Sequence, residues 1–139
     1  MNSNRTWKYQ WKWTLEADLV RVVALPVRAP VSTEWLSIGA TSGGKAQLTV
    51  RKGYAWDGCS VVPDAPRSKW ASCCHDAGYQ YADVMALAWG ISQGAALAWA
   101  DKAFLQIMRQ DGCPVAGLYY TGVRVFGRPF RFLSRLFGV

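Results

Sequence analysis

The sequence predicts an α+β fold in which N-terminal antiparallel β-hairpins are followed by an antiparallel helix pair and a C-terminal helical segment. Three observations carry this. Period-2 alternation runs through the N-terminal third, the apolar spacing changes to a helical period after Ser68, and glycine or proline marks the junctions between segments.

Trp7, Tyr9, Trp11 and Trp13 alternate with Lys8, Gln10 and Lys12, the pattern of a half-buried strand. The β-prone run Leu19 to Leu25 ends where Pro26 and then Pro30 remove ladder donors. Trp35 to Ala40 and Lys45 to Val50 flank Thr41-Ser42-Gly43-Gly44, a hairpin turn in which glycine accepts positive φ without a steric penalty. The second arm leads into Tyr54-Ala55-Trp56-Asp57-Gly58, so the strands deliver a loop. Beyond it, Trp70, Cys73, Cys74, Ala77 and Tyr81 recur at helical spacing, with Ser68 placed as a cap. A turn is expected near Gly90 to Gly94. The next helix buries Leu97, Ala100, Phe104, Leu105 and Met108 and stops at Asp111-Gly112, ahead of Pro114. The last segment reads as a helix from about Val115 to Phe126, a break at Gly127 to Pro129, and a short basic helix to Phe137.

The chain of 139 residues suits one domain, with a β-rich part over 1–53, a loop and helix pair over 54–111 and a basic helical segment over 112–139. Hydrophobic residues make up 51% and charged residues 18%, which excludes a disordered chain. Charges or glycines interrupt every apolar run short of the roughly 18 residues that span a membrane. The start, MNSNRTWKYQWKW, has neither the apolar stretch nor the cleavage site of a signal peptide. The net charge of +7 is unevenly placed, with four arginines and no acid from Gly112 onward. That bias favours an anionic partner, either phospholipid headgroups or nucleic acid. No base-reading motif supports the second. Cys59, Cys73, Cys74 and Cys113 are even in number but need not pair without an export signal, although a bridge from Cys59 to Cys73 or Cys74 is open.

The chemistry concentrates between Asp57 and Asp101, around the single histidine, His75. Asp101 falls inside the apolar stripe of its helix, where a carboxylate is costly unless a charged or hydrogen-bonding group meets it. His75 lies about six residues before the expected end of one helix and Asp101 about eight after the start of the next. At about 1.5 Å per residue these are similar heights on an antiparallel pair. A carboxylate that holds one imidazole nitrogen leaves the other to act as a base. Tyr79 lies one turn from His75 on the same side, and Asp76 projects about 100° further round. Oxygen donors from Asp76, Asp57 and carbonyls near Gly58 suit Ca²⁺, which takes six to eight oxygens in irregular geometry.

Each residue also has a structural reading. A lone histidine is usually a satisfied core residue, Asp57-Gly58 alone is a turn, and Asp101 can pair with Lys69 or Arg67. Metal phosphohydrolases with His-Asp dipeptides need further histidines. Cys73, Cys74 and His75 are consecutive on one helix and cannot all face one zinc ion. The combination, rather than any single residue, argues for catalysis.

The ordered blocks Asp57-Gly58-Cys59-Ser60-x-x-Pro63-Asp64-x-Pro66, His75-Asp76-x-Gly78-Tyr79 and Asp101-x-x-Phe104-x-x-x-Met108 resemble the short bacterial and fungal phospholipases A2. The set also resembles an uncharacterised bacteriophage-associated family, whose closing Val-Arg-x-Phe-Gly is present as Val123 to Gly127. The first resemblance implies a phospholipase A2-like helix pair in which His75 activates water, Asp101 orients His75 and Tyr79 supports the network. Asp57, Asp76 and a Gly58 carbonyl would hold Ca²⁺ against the sn-2 ester carbonyl of a membrane phospholipid. The second implies a phage or prophage protein, virion-associated or in the host cytoplasm, with other phage structural proteins as partners. A non-catalytic virion or tail accessory that keeps the scaffold is the alternative. The family cysteine that pairs with the loop cysteine falls at Ser72 here, and the family lacks the β-rich N-terminal third.

Arg124, Arg128, Arg131 and Arg135 repeat at i, i+4, i+7 and i+11, with Phe126, Phe130, Phe132, Leu133, Leu136 and Phe137 between them. Such a helix fits interfacial membrane binding, or an amphipathic helix docked on the core with solvated arginines.

Overall fold

The computed structural model describes residues 13–56 and 67–137, with side chains described as far as Phe126. The alternation expected over Trp7 to Lys12 and the loop from Asp57 to Pro66 lie outside the described residues. The chain forms β1 (Trp13–Thr14), β2 (Leu19–Val23), β3 (Val31–Ser32), β4 (Leu36–Ala40), β5 (Ala46–Val50) and β6 (Ala55–Trp56). Four helices follow: α1 (Lys69–Gln80), α2 (Ala82–Trp89), α3 (Gln93–Gln110) and α4 (Ala116–Phe137). This is the α+β arrangement of antiparallel strands followed by helices.

The main sheet is antiparallel with order β2-β5-β4-β3, and β1 pairs with β6. The β4–β5 hairpin turns where expected. The Thr41 N–H donates to the Lys45 carbonyl while the Lys45 N–H donates to the Thr41 hydroxyl, and Gly44 takes a φ of +78° that would strain any residue with a Cβ. Alternation places Leu36 and Ile38 of β4 with Leu48 and Val50 of β5 on the buried face. Burying each such side chain contributes about 1.5–3 kcal/mol, enough to specify the register, since a one-residue slip would expose the whole set.

Strand β2 is an edge, and α3 covers its open side. The Gln106 amide accepts from the Ala24 N–H at 2.7 Å, and Gln110 donates to the Val22 carbonyl at 2.6 Å. Arg21 forms a two-point ion pair with Asp111 at 2.8 and 3.1 Å. Further along, the Trp99 indole donates to the Pro26 carbonyl and the Trp89 indole to the Ala29 carbonyl. These bonds satisfy backbone groups that prolines leave out of any ladder.

The helical stripe of α1 is as expected: Cys73, Cys74 and Ala77 are buried, with Trp70 and Tyr81 half-buried beside them. Ser68 occupies the cap position of α1 without a side-chain cap bond, which corrects that expectation. A true cap appears at α3, where the Ser92 hydroxyl accepts from the Ala95 N–H at 3.0 Å. Helix α2, for which no separate element was expected, ends at Gly90 in the left-handed conformation, with φ +64°.

The expected break at Gly127 to Pro129 does not occur. Helix α4 is continuous from Ala116 to Phe137. Proline removes one helical hydrogen bond and crowds the preceding turn, so it is disfavoured inside a helix but does not forbid one. Among the described residues no helix is long and apolar enough to cross a membrane.

His75 meets Phe104 and Asp101 while Gly78 meets Ala100, so α1 and α3 run antiparallel. A Cβ built on Gly78 would fall 2.9 Å from the Ala100 Cβ, closer than two carbons can pack. Glycine here sets the separation of the two helices. Gly78→Ala should therefore destabilise the fold by about 1–3 kcal/mol through overpacking. Thermal denaturation should show a lower Tm, and an unchanged Tm would refute the close-approach argument.

Candidate active site

The close approach of α1 and α3 brings His75 and Asp101 together. His75 Nε2 lies 2.6 Å from Asp101 Oδ1, and the Tyr79 hydroxyl donates to the same oxygen at 2.8 Å. Asp101 is wholly buried, as its position in the apolar stripe requires. Its second oxygen, Oδ2, accepts from Arg124 Nη1 at 2.8 Å. Three donors, one of them a permanently charged guanidinium, compensate for removing the carboxylate from water. The alternative pairings of Asp101 with Lys69 or Arg67 are not formed. Lys69 instead places its ammonium over the rings of Trp13 and Trp70, 4.0 and 4.7 Å from their centroids.

A carboxylate is an acceptor only, so His75 presents its Nε2–H to Asp101 and carries its lone pair on Nδ1. Nδ1 has no hydrogen-bond partner among the described residues. The imidazole is packed between the rings of Tyr79 and Phe104, with centroids 4.2 and 4.8 Å away, so its plane is held as well as its tautomer. A ring so fixed, with one nitrogen anchored and the other unpaired among the described residues, has the form of a general base.

The Asp76 carboxylate accepts from the buried Tyr54 hydroxyl at 2.8 Å, and Gln80 Oε1 lies 3.2 Å from that hydroxyl. Trp56, two residues on from Tyr54, donates its indole N–H to Ser72 at 3.1 Å. These bonds tie the strand that feeds the loop to the turn of α1 that precedes Asp76. Asp57 and Gly58, the other two expected calcium donors, lie outside the described residues. Among the described residues no group of three His, Cys, Asp or Glu side chains converges on one point. The donor set Asp57, Gly58 carbonyl and Asp76 is all oxygen, as calcium requires, and Asp76 is half-buried on the helix that carries His75.

Arg124 is the site residue that sequence reasoning missed. Its spacing places it in a stripe of arginines, solvated or facing a membrane, yet its side chain is only 31% exposed and ion-paired to Asp101. The signal was available. Asp101 lies nine residues before the end of α3 and Arg124 eight after the start of α4, so the height argument that paired His75 with Asp101 also pairs these two.

Cys73, Cys74 and Cys113 are free, buried thiols, and Cys59 lies outside the described residues. Burial pushes the Cys74 thiol up to about 12, with Asp111 adding to the rise and Arg21 opposing it. Burial drives Cys73 higher still, reinforced by Cys74 and Asp76. Neither thiol is a nucleophile at neutral pH, despite lying next to His75 in the chain. A thiol kept protonated by the fold contributes stability that is complete below its unfolded value of 9.0 and declines as pH rises toward about 12. Urea denaturation between pH 8 and 11 should show Cys74→Ala losing stability less steeply than the parent. Equal slopes would contradict the assignment.

Comparison with protein-family models, curated proteins and solved structures finds no match in any of the three.

Proposed function

We propose that the chain is a calcium-dependent, phospholipase A2-like hydrolase of membrane phospholipid esters, encoded by a phage or prophage and working in the virion or the host cell. The observation that carries this reading is the His75–Asp101 pair: a wholly buried carboxylate on Nε2, and Nδ1 left without a protein partner among the described residues. In this mechanism Nδ1 of His75 takes a proton from water as the water oxygen adds to the ester carbonyl. Asp101 stabilises the imidazolium that results, and Tyr79 keeps Asp101 in place. His75 then returns the proton to the departing alcohol. Asp57, the Gly58 carbonyl and Asp76 are the donors that would hold Ca²⁺, whose charge, when bound, favours the developing oxyanion.

A second reading draws on the same cluster. Asp101 joins α1, α3 and α4 through His75, Tyr79 and Arg124, which is also what a non-catalytic phage structural or accessory protein would use to hold three helices together. The two readings separate in one experiment. Purified protein with millimolar Ca²⁺ should release fatty acid from anionic phospholipid vesicles, and His75→Ala should lower the rate by about 10²–10⁴-fold. Chelation of calcium should abolish release. No release above the His75→Ala background, with the protein recovered as a multi-copy virion component, would favour the structural reading.

A further inference from the structure

Helices α1 and α3 alone supply the base and its carboxylate, but the carboxylate is not complete without α4. Oδ1 of Asp101 is occupied by His75 and Tyr79, and Oδ2 by Arg124. With both oxygens engaged, the carboxylate cannot turn about its Cβ–Cγ bond without breaking the bond to Arg124. Asp101 has no exposure to water that would take the place of a lost partner. Arg124 is held in turn by its helix, which buries Val123 beside it and Ala116 two turns earlier.

We infer that Arg124 is a positioning residue: by gripping Oδ2 it keeps Oδ1 of Asp101 aimed at Nε2 of His75, and so sets the tautomer and orientation of the base without touching substrate. This rests on reading His75 as the base. An ion pair that merely stiffened the α3–α4 contact would stabilise the fold and leave the imidazole indifferent to its loss. The inferred role makes the imidazole respond.

The sequence makes that response readable, because a chain with one histidine has one imidazole spin system. Long-range ¹H–¹⁵N correlation on the neutral ring distinguishes a proton on Nε2 from one on Nδ1. The parent protein should show the Nε2–H form alone. Arg124→Met, which keeps bulk but neither charge nor donor, should show both tautomers. It should also lose up to about a hundredfold in kcat on phospholipid vesicles with little change in KM. Arg124→Lys, which keeps the charge and most of the reach, should restore the single Nε2–H form and most of kcat. Arg124→Gln, polar but two bonds too short to reach Oδ2, provides the same readout if the Met variant does not fold, and should also show both tautomers.

A folded Met or Gln variant with the parent's single Nε2–H tautomer would overturn the inference, even if its stability had dropped. Failure of the hydrolase reading looks different. The parent would release no fatty acid beyond His75→Ala, while the tautomer comparison would still stand or fall on its own spectra.

Discussion

The arrangement of the helical half depends on one carboxylate placed where water cannot reach it. Asp101 sits in the apolar face of α3, and an ionised group there is tolerable only if the surrounding elements supply donors in its place. Two helices do so. Helix α1 contributes His75 and Tyr79, and α4 contributes Arg124. The apolar packing of α3 would accept a range of helix positions, whereas hydrogen bonds of 2.6–2.8 Å to three side chains accept very few. Specificity of position is thus concentrated at the one residue whose burial is least favourable.

Gly78 makes that arrangement reachable. Histidine is a short side chain, and its ring reaches Asp101 only because α1 and α3 approach until Gly78 rests on the Ala100 methyl. The close packing of two small residues and the hydrogen bond three positions away are one device: the first sets the distance and the second uses it. On the strand side, Ser72 plays a comparable part. Its hydroxyl accepts the Trp56 indole N–H, so β6 is fastened to α1 by a hydrogen bond.

Much of this is legible in the sequence. Period-2 and helical spacings gave the α+β class, the Gly43-Gly44 turn and the boundaries of α3, because these follow from local backbone preference and a single buried face. The demand that Asp101 have a partner was legible too, and so was His75 as that partner. What remained hidden were contacts whose logic is not periodic. Tyr54 reaching Asp76, Trp56 reaching Ser72, and Gln106 and Gln110 reaching β2 all join distant segments through polar groups that the sequence shows only as ordinary surface residues. Arg124 was hidden in another way, by membership of a regular stripe. Regular spacing with Arg128, Arg131 and Arg135 invited one role for all four, whereas the first of them lies beside a buried acid.

The covering of β2 bears on how copies of the chain can meet. An exposed strand edge is a template on which another strand can add. Here Gln106 and Gln110 occupy the outward-facing groups of Ala24 and Val22, and Arg21 is fastened to Asp111. The opposite edge, β3, is only two residues long. The main sheet therefore offers little purchase for growth by strand addition at either end. The outward apolar side chains Leu118, Val125 and Phe126 lie instead on α4, more than half exposed, on the helix that also supplies Arg124.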